Sequence, residues 1–389
     1  MKQTFFLLFL INFFYVQAQE SVFYTKETNK NFTLNKFGLE VYNLNFIKNN
    51  EYFNFISDGL TLLGTQLHPE FIYNNSEKTQ FKAGVFLQKN FGETKIDFII
   101  PTFSFNYLQG NHQFTIGNWS AKNNHGMIEP MMASEKILTN ALIETGARYQ
   151  YTTSKFSIDA WMDWEKYIRP FDNFREVFTV GISSKVNLFK NFSMPIQYTV
   201  RHKGGQVNLK FRDEQTQTDI SDIHNVALGL EYKTSNKTSK GLIFSYYFLA
   251  HNANGVKEYP FANGNAHYFR VKYLIRDFNF MLAYYHANQF ISSRGNEMFQ
   301  TYSLRSNINY WNGVLDNRYV GLTEPNRKLL FSKVYYEKKL AKNVKVGVQG
   351  EAFFQLNNSF ESVGVEGNKK HQFDYSYGVY VLLNDIFNF

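Results

Sequence analysis

Cysteine is absent from the 389 residues, which excludes disulfides, a thiolate metal centre and a lipoprotein anchor. Any metal site would rest on histidine and carboxylates alone. Proline is scarce, at 7, and no Pro/Gly/Ser-rich linker, charge run or composition shift divides the chain. The length therefore does not read as two soluble domains joined in series. Beyond residue 18 no stretch reaches the about 18 consecutive apolar residues of a spanning helix. The catalytic signatures G-x-S-x-G and H-E-x-x-H are missing, as is a phosphate-binding loop. The sequence thus predicts no enzyme, no cofactor and no metal.

What remains is aromatic and alternating. Phe and Tyr number 41 and 26, yet mean hydropathy is negative, so the apolar residues must share their segments with polar ones. The C-terminus shows how. Phe373, Tyr375, Tyr377, Val379, Val381 and Leu383 stand on one parity, followed by Phe387 and Phe389, while Asp374 and Ser376 stand on the other. Side chains in a strand alternate between faces, so this is a strand with one apolar face running to the last residue. Such an edge invites aggregation in water, whereas a transmembrane barrel needs it for closure against lipid.

The N-terminus carries Lys2, an apolar run from Phe5 to Tyr15, and Val16-Gln17-Ala18, the pattern of a cleaved signal peptide over 1–18. Residues 19–35 are polar and read as a periplasmic arm or plug, leaving 36–389 for an all-β, antiparallel up-and-down transmembrane barrel. The charge of +8 points to anionic solutes or lipopolysaccharide phosphates, not to nucleic acid, which a secreted barrel does not meet.

Barrel hairpins alternate between short periplasmic turns and longer external loops. Counting backward from a periplasmic C-terminus gives 16 strands, the first at 36–47 and the last at 371–383. Fourteen or 18 stay open because 301–310 resembles further strand. Even-numbered Phe98 and Ile100 give way to odd-numbered Phe103, Phe105 and Tyr107 around Pro101, which predicts a bulge.

Charges on the lipid face near the midplane would cost about 2–4 kcal/mol each, so alternation assigns them inward. The expected pore-lining residues are Glu144, Arg148, Asp159, Asp163, Glu165, Lys185, Arg201, Lys203, Arg270, Lys272 and Arg276. Opposed acidic and basic walls would set a transverse field across a channel. An internal salt-bridge network filling the barrel accounts for the same charges equally well. Loop 121–142, with His125 through Met132, either folds inward or packs on a partner. The segment from Arg201 and His202 to Gln206 reads as a basic strand exit or an anion contact, and loop 287–327 is rich in arginine and aromatics. His68 and Glu70 share a strand face and His286 ends a strand, without a serine in a recognisable motif beside them.

The signal peptide, the strand count and the aromatic terminus resemble bacterial general or anion-selective outer-membrane porins, in the Asn/Lys/Phe-rich style of the Bacteroidota. Val381, Leu383, Phe387 and Phe389 match the signal read by the barrel-assembly machinery, while Asp385 departs from its alternation. The resemblance covers the mature chain but is architectural, and fold alone does not give function. It implies an outer-membrane channel for small hydrophilic solutes, with an anion preference, among lipid and lipopolysaccharide. The alternative is a non-conducting barrel subunit of a larger outer-membrane complex, docking through loops 121–142 and 287–327; other envelope proteins or a homo-oligomer are the further partners expected. A barrel enzyme acting on lipid or peptide is the third reading.

Overall fold

The computed structural model describes residues 37–122, 124–139, 142–170, 172, 174–204, 220–235, 240–254, 259–303, 310–311, 314–315, 322–357 and 373–389. The expected export segment and N-terminal arm lie outside these residues. The strands are β1 (Phe37–Glu51), β2 (Leu60–Asn74), β3 (Thr79–Asn90), β4 (Phe98–Gln109), β5 (His112–Ser120), β6 (Ile143–Thr152), β7 (Phe156–Lys166) and β8 (Glu176–Phe189). They continue as β9 (Phe192–Gly204), β10 (Ser221–Lys233), β11 (Lys240–Asn254), β12 (Asn263–Ile275), β13 (Phe278–Asn288), β14 (Asn326–Ala341), β15 (Val344–Gln355) and β16 (Phe373–Asn388). Each pairs antiparallel with its chain neighbours, and β16 closes on β1. The Phe389 N–H donates to the Phe37 carbonyl at 3.0 Å, so the seam is sealed to the last residue. The short hairpin of Tyr310–Trp311 with Val314–Leu315 stands outside this order, and the barrel has 16 strands among the described residues.

The alternation is physical. Along β16, Tyr375, Tyr377, Val379 and Val381 are exposed to the surroundings, while Asp374, Ser376, Tyr380 and Leu382 are buried. The bulge expected at Pro101 is not there. β4 runs in unbroken register against β3 from Phe98 to Tyr107. Ile99, Phe103 and, between them, Pro101 all point outward. Ile100 points inward because the lumen there is apolar: it packs beside Ile137 and Leu138 of loop 121–142. Register shifts occur instead near strand ends, at Trp164/Lys166, Asn187/Phe189 and Lys339/Ala341.

A barrel of this strand number is too wide for wall side chains alone to fill. Two loops at one end fill it. Met127, Ile128, Met131 and Met132 from loop 121–142 meet Phe290, Met298 and Phe299 from the β13–β14 loop, against Trp161, Tyr247, Tyr268, Tyr285, Phe331 and Phe353 of the walls. Burial of each such side chain is worth about 1.5–3 kcal/mol. The loops also bond to each other. The Ala133 N–H donates to Arg294 O at 2.7 Å, the Asn296 N–H to Glu129 O at 2.9 Å, and Ser292 Oγ to Met131 O at 3.1 Å. Ser57 Oγ, from the β1–β2 loop, joins by donating to Glu297 Oε2 at 2.7 Å. Of the two expectations for loop 121–142, the inward fold is the one observed.

Candidate functional site

The lumen-facing charges collect around a histidine that the loop carries in. Asn124, His125 and Gly126 all have positive φ, a conformation uncommon for residues with a Cβ, and this tight turn drives the imidazole into the wall. His125 lies flat on Trp161 with ring centroids 3.6 Å apart. Its Nε2 is 2.6 Å from Glu144 Oε2 and its Nδ1 3.1 Å from Asp159 Oδ2. Glu144 also accepts from Trp119 Nε1 and Lys136 Nζ, both at 3.0 Å, and pairs with Arg294 Nη1 at 3.3 Å. Arg294 Nη2 reaches Asp163 and Glu165, each at 2.6 Å. Arg148 grips Asp159 with two nitrogens, at 2.9 and 2.6 Å.

Of the residues expected to line a pore, Glu144, Arg148, Asp159, Asp163 and Glu165 come together here, and Arg201 joins through Glu165 at 3.3 Å. Lys185 turns to Glu231 at 2.6 Å instead. Arg270 and Lys272 are buried on the far wall, where Arg270 meets Tyr247 Oη at 3.2 Å. Lys203 has inward parity near the loop end of β9. Arg276 is not on a wall: it occupies the β12–β13 turn at φ 53, exposed. Arg294 and Lys136 complete the cluster although neither was an expected lumen residue, because strand parity says nothing about residues brought in by loops.

Burial opposes the charged form of His125, but the Glu144 and Asp159 carboxylates outweigh it and hold its pKa above the ordinary histidine value. A folded-state pKa raised above the unfolded value of about 6.5 gives stabilisation that is full below that pH and is lost as pH rises through the folded value. The groups facing this ring are Glu144, Asp159, Trp161 and, one contact away, Arg148, Lys136 and Arg294. Amide-exchange protection of residues 124–132 is therefore expected to fall between neutral and alkaline pH. His125→Gln should flatten that dependence. Protection that rises with pH in the parent protein would contradict the arrangement.

A different histidine faces outward. At the loop end of β9, His202 stands on lipid-facing parity with its Nδ1 2.6 Å from Asp222 Oδ1 of β10. The two side chains keep 26% and 35% of their exposure, so the pair is reachable from outside the barrel. Phe178 of β8 packs beside the imidazole at 4.9 Å between centroids. Gly204 leaves room for it: a Cβ there would come within 2.2 Å of His202 Nε2. Beside this pair, Tyr198 Oη bonds His224 Nδ1 at 2.7 Å. His68, the histidine first considered with Glu70, is sealed in the lumen wall, 3.0 Å from Thr102 Oγ1 and 3.5 Å from Glu70. His286 faces outward with Asn326 Oδ1 at 3.0 Å from its Nε2, and among the described residues no carboxylate pairs with it. Among the His68, His125 and His202 carboxylate pairs, only the last combines an imidazole, a carboxylate and access from the membrane side. Asp222 was missed in the sequence because a long loop separates it from His202. Their shared outward parity on neighbouring strands was the available signal.

A family model described as lipid A 3'-O-deacylase-type matches residues 27–389. No curated protein matches the chain. Among solved structures, a loop L8 deletion mutant of OmpT, an outer membrane protein of Vibrio cholerae, is 11% identical. It aligns over 90% of this chain and 99% of its own at a TM-score of 0.50. The outer membrane protein OprD from Pseudomonas aeruginosa is 10% identical over 92% of this chain and 94% of its own, also at 0.50. At such identities the likeness is one of fold, that of an outer-membrane barrel.

Proposed function

The chain belongs to the lipid A 3'-O-deacylase-type family, and from that premise we propose that it is an outer-membrane ester hydrolase, removing an acyl chain from lipid A at the outward-facing His202–Asp222 pair. The observation that carries this reading is the placement of that pair: an imidazole held by a carboxylate at 2.6 Å, on the lipid side, at the loop-end rim. A lipid ester lies at that depth, where acyl chains meet headgroup. Asp222 holds the Nδ1 side of the ring, leaving Nε2 as the proton acceptor. Ser221, adjacent in sequence, has inward parity and is buried, so the attacking group in this scheme is water. His202 takes a proton from water as its oxygen adds to the ester carbonyl. The tetrahedral intermediate then expels the sugar alkoxide, which receives that proton from His202. The products are a fatty acid and the free hydroxyl.

The test is mass spectrometry of purified lipid A after incubation with the full-length, folded protein. Loss of one acyl chain is expected, and lipid A recovered at unchanged mass would end the proposal.

The polar lumen supports a second reading, a diffusion channel for small solutes. The ion-paired loops lying across it favour hydrolysis at the outer surface over passage through the middle. Planar bilayers holding the purified barrel are expected to show almost no steady current at neutral pH. Sustained open-pore conductance would restore the channel reading, and its reversal potential in a salt gradient would then report any anion preference.

A further inference from the structure

The lipid-facing wall between β13 and β16 has a depression of about 710 Å³. Its origin is in the residue sizes. Two outward rows cross these strands, Leu282–Ser332–Ala352–Tyr375 and Phe280–Val334–Gly350–Tyr377. Three of the four middle positions, Ser332, Ala352 and Gly350, are small and the flanking ones are large, so a trough runs along β14 and β15 between an aliphatic–aromatic bank and a tyrosine bank. A side chain on Gly350 would meet only Val334 Cγ1, at 3.7 Å, so the floor is open space rather than a packed contact. Exposed Phe280, Val334, Tyr375 and Tyr377 make the trough apolar and set it in the hydrocarbon band.

Above it, toward the loop end, the same wall becomes polar. His286 and Lys328 are register partners on the outward face, and Asn326 holds the His286 ring at 3.0 Å. Lys328 lies four residues along β14 from Ser332, about 13 Å at strand rise and about 10 Å along the bilayer normal at the usual strand tilt, within the roughly 15 Å of one leaflet's chains. An apolar trough below a cationic rim is complementary to a lipid whose headgroup carries phosphate.

We infer that the outer wall of β13–β16 holds one acyl chain of a lipopolysaccharide molecule in this trough, with its headgroup phosphate beside His286 and Lys328. The site lies several strands from His202, so it retains a lipid independently of hydrolysis.

The probe is purified lipid A. Full-length His202→Gln protein, which cannot consume the probe by the proposed route, is incubated with detergent micelles containing lipid A or phosphatidylethanolamine and examined by native mass spectrometry. One tightly retained lipid A is expected. Gly350→Phe and Ala352→Phe, each filling the trough, should weaken retention at least about tenfold, and Lys328→Ala should remove the preference over phosphatidylethanolamine. Folding of each variant is checked by heat-modifiable gel migration, and Lys328→Ala reads the headgroup arm should both phenylalanine variants misfold. Absence of a retained lipid would overturn the inference, as would undiminished retention in a folded, trough-filled variant. Equal retention of the two lipids by the parent would overturn the lipopolysaccharide assignment. None of these outcomes depends on acyl release, which is tested separately.

Discussion

His202→Gln is expected to slow acyl release from lipid A by roughly 10²–10⁴-fold, the usual contribution of a general base, while leaving the barrel folded. The side chain sits on the rim with 26% of its exposure remaining, and its loss removes no buried contact on which the lumen depends. Surface changes of that kind typically stay within about 0.5 kcal/mol of the parent stability. Asp222→Asn should cost less, because the aspartate positions the ring without touching the ester. Its effect should fall on the rate of acyl release and leave lipid A binding unchanged, as expected of a group that orients the ring through the 2.6 Å contact. Gly204→Ala is the sharper control. It deletes no functional group, yet its Cβ would stand 2.2 Å from His202 Nε2 and must displace the ring. A barrel that releases acyl chains normally with His202→Gln would remove this pair from the mechanism, leaving family membership to be explained by another site.

The barrel was legible because its rules are local. Period-two alternation, turn length and the apolar terminus each act within one hairpin, and together they yield 16 strands with the observed sides facing lipid. Where local reading misled, tertiary context had won. The parity change at Ile100 reads as a bulge, but loop residues Ile137 and Leu138 make its part of the lumen apolar, so an inward isoleucine needs no bulge. Arg276 was assigned to a wall by counting parity one residue too far, into a turn. The acidic strand face of Asp159, Asp163 and Glu165 could be read from alternation. Its partners Arg294 and Lys136 could not, because no periodicity connects a loop to the wall it will reach. For His202 and Asp222, 20 residues apart in sequence and 2.6 Å apart in space, outward parity on neighbouring strands was legible, but the register that sets them side by side was not.

Glu144→Ala is expected to destabilise the protein by about 3–5 kcal/mol, the cost of leaving buried charges without their partner. The carboxylate is 1% exposed and is shared by His125, Lys136, Arg294 and the Trp119 indole. Truncation takes from largely buried Lys136 the carboxylate it pairs with, and leaves His125 to Asp159 alone and Arg294 to Asp163 and Glu165. Glu144→Gln keeps an acceptor for Trp119 but not the charge, so it should fall between the parent and the alanine variant. The midpoint of heat-induced unfolding on gels gives the stability, and amide exchange locates the loss. It should appear first in residues 124–138 and 290–301, the two loops that Glu144 ties to β6 through His125, Lys136 and Arg294. If those ties keep the lumen filled, the same variant should also conduct in planar bilayers where the parent does not. Arg294→Ala removes a cation from the same cluster, so combining it with Glu144→Ala should cost less than the two single changes added together. Additive losses would mean that the two side chains act independently and that their ion pair does not hold the loops.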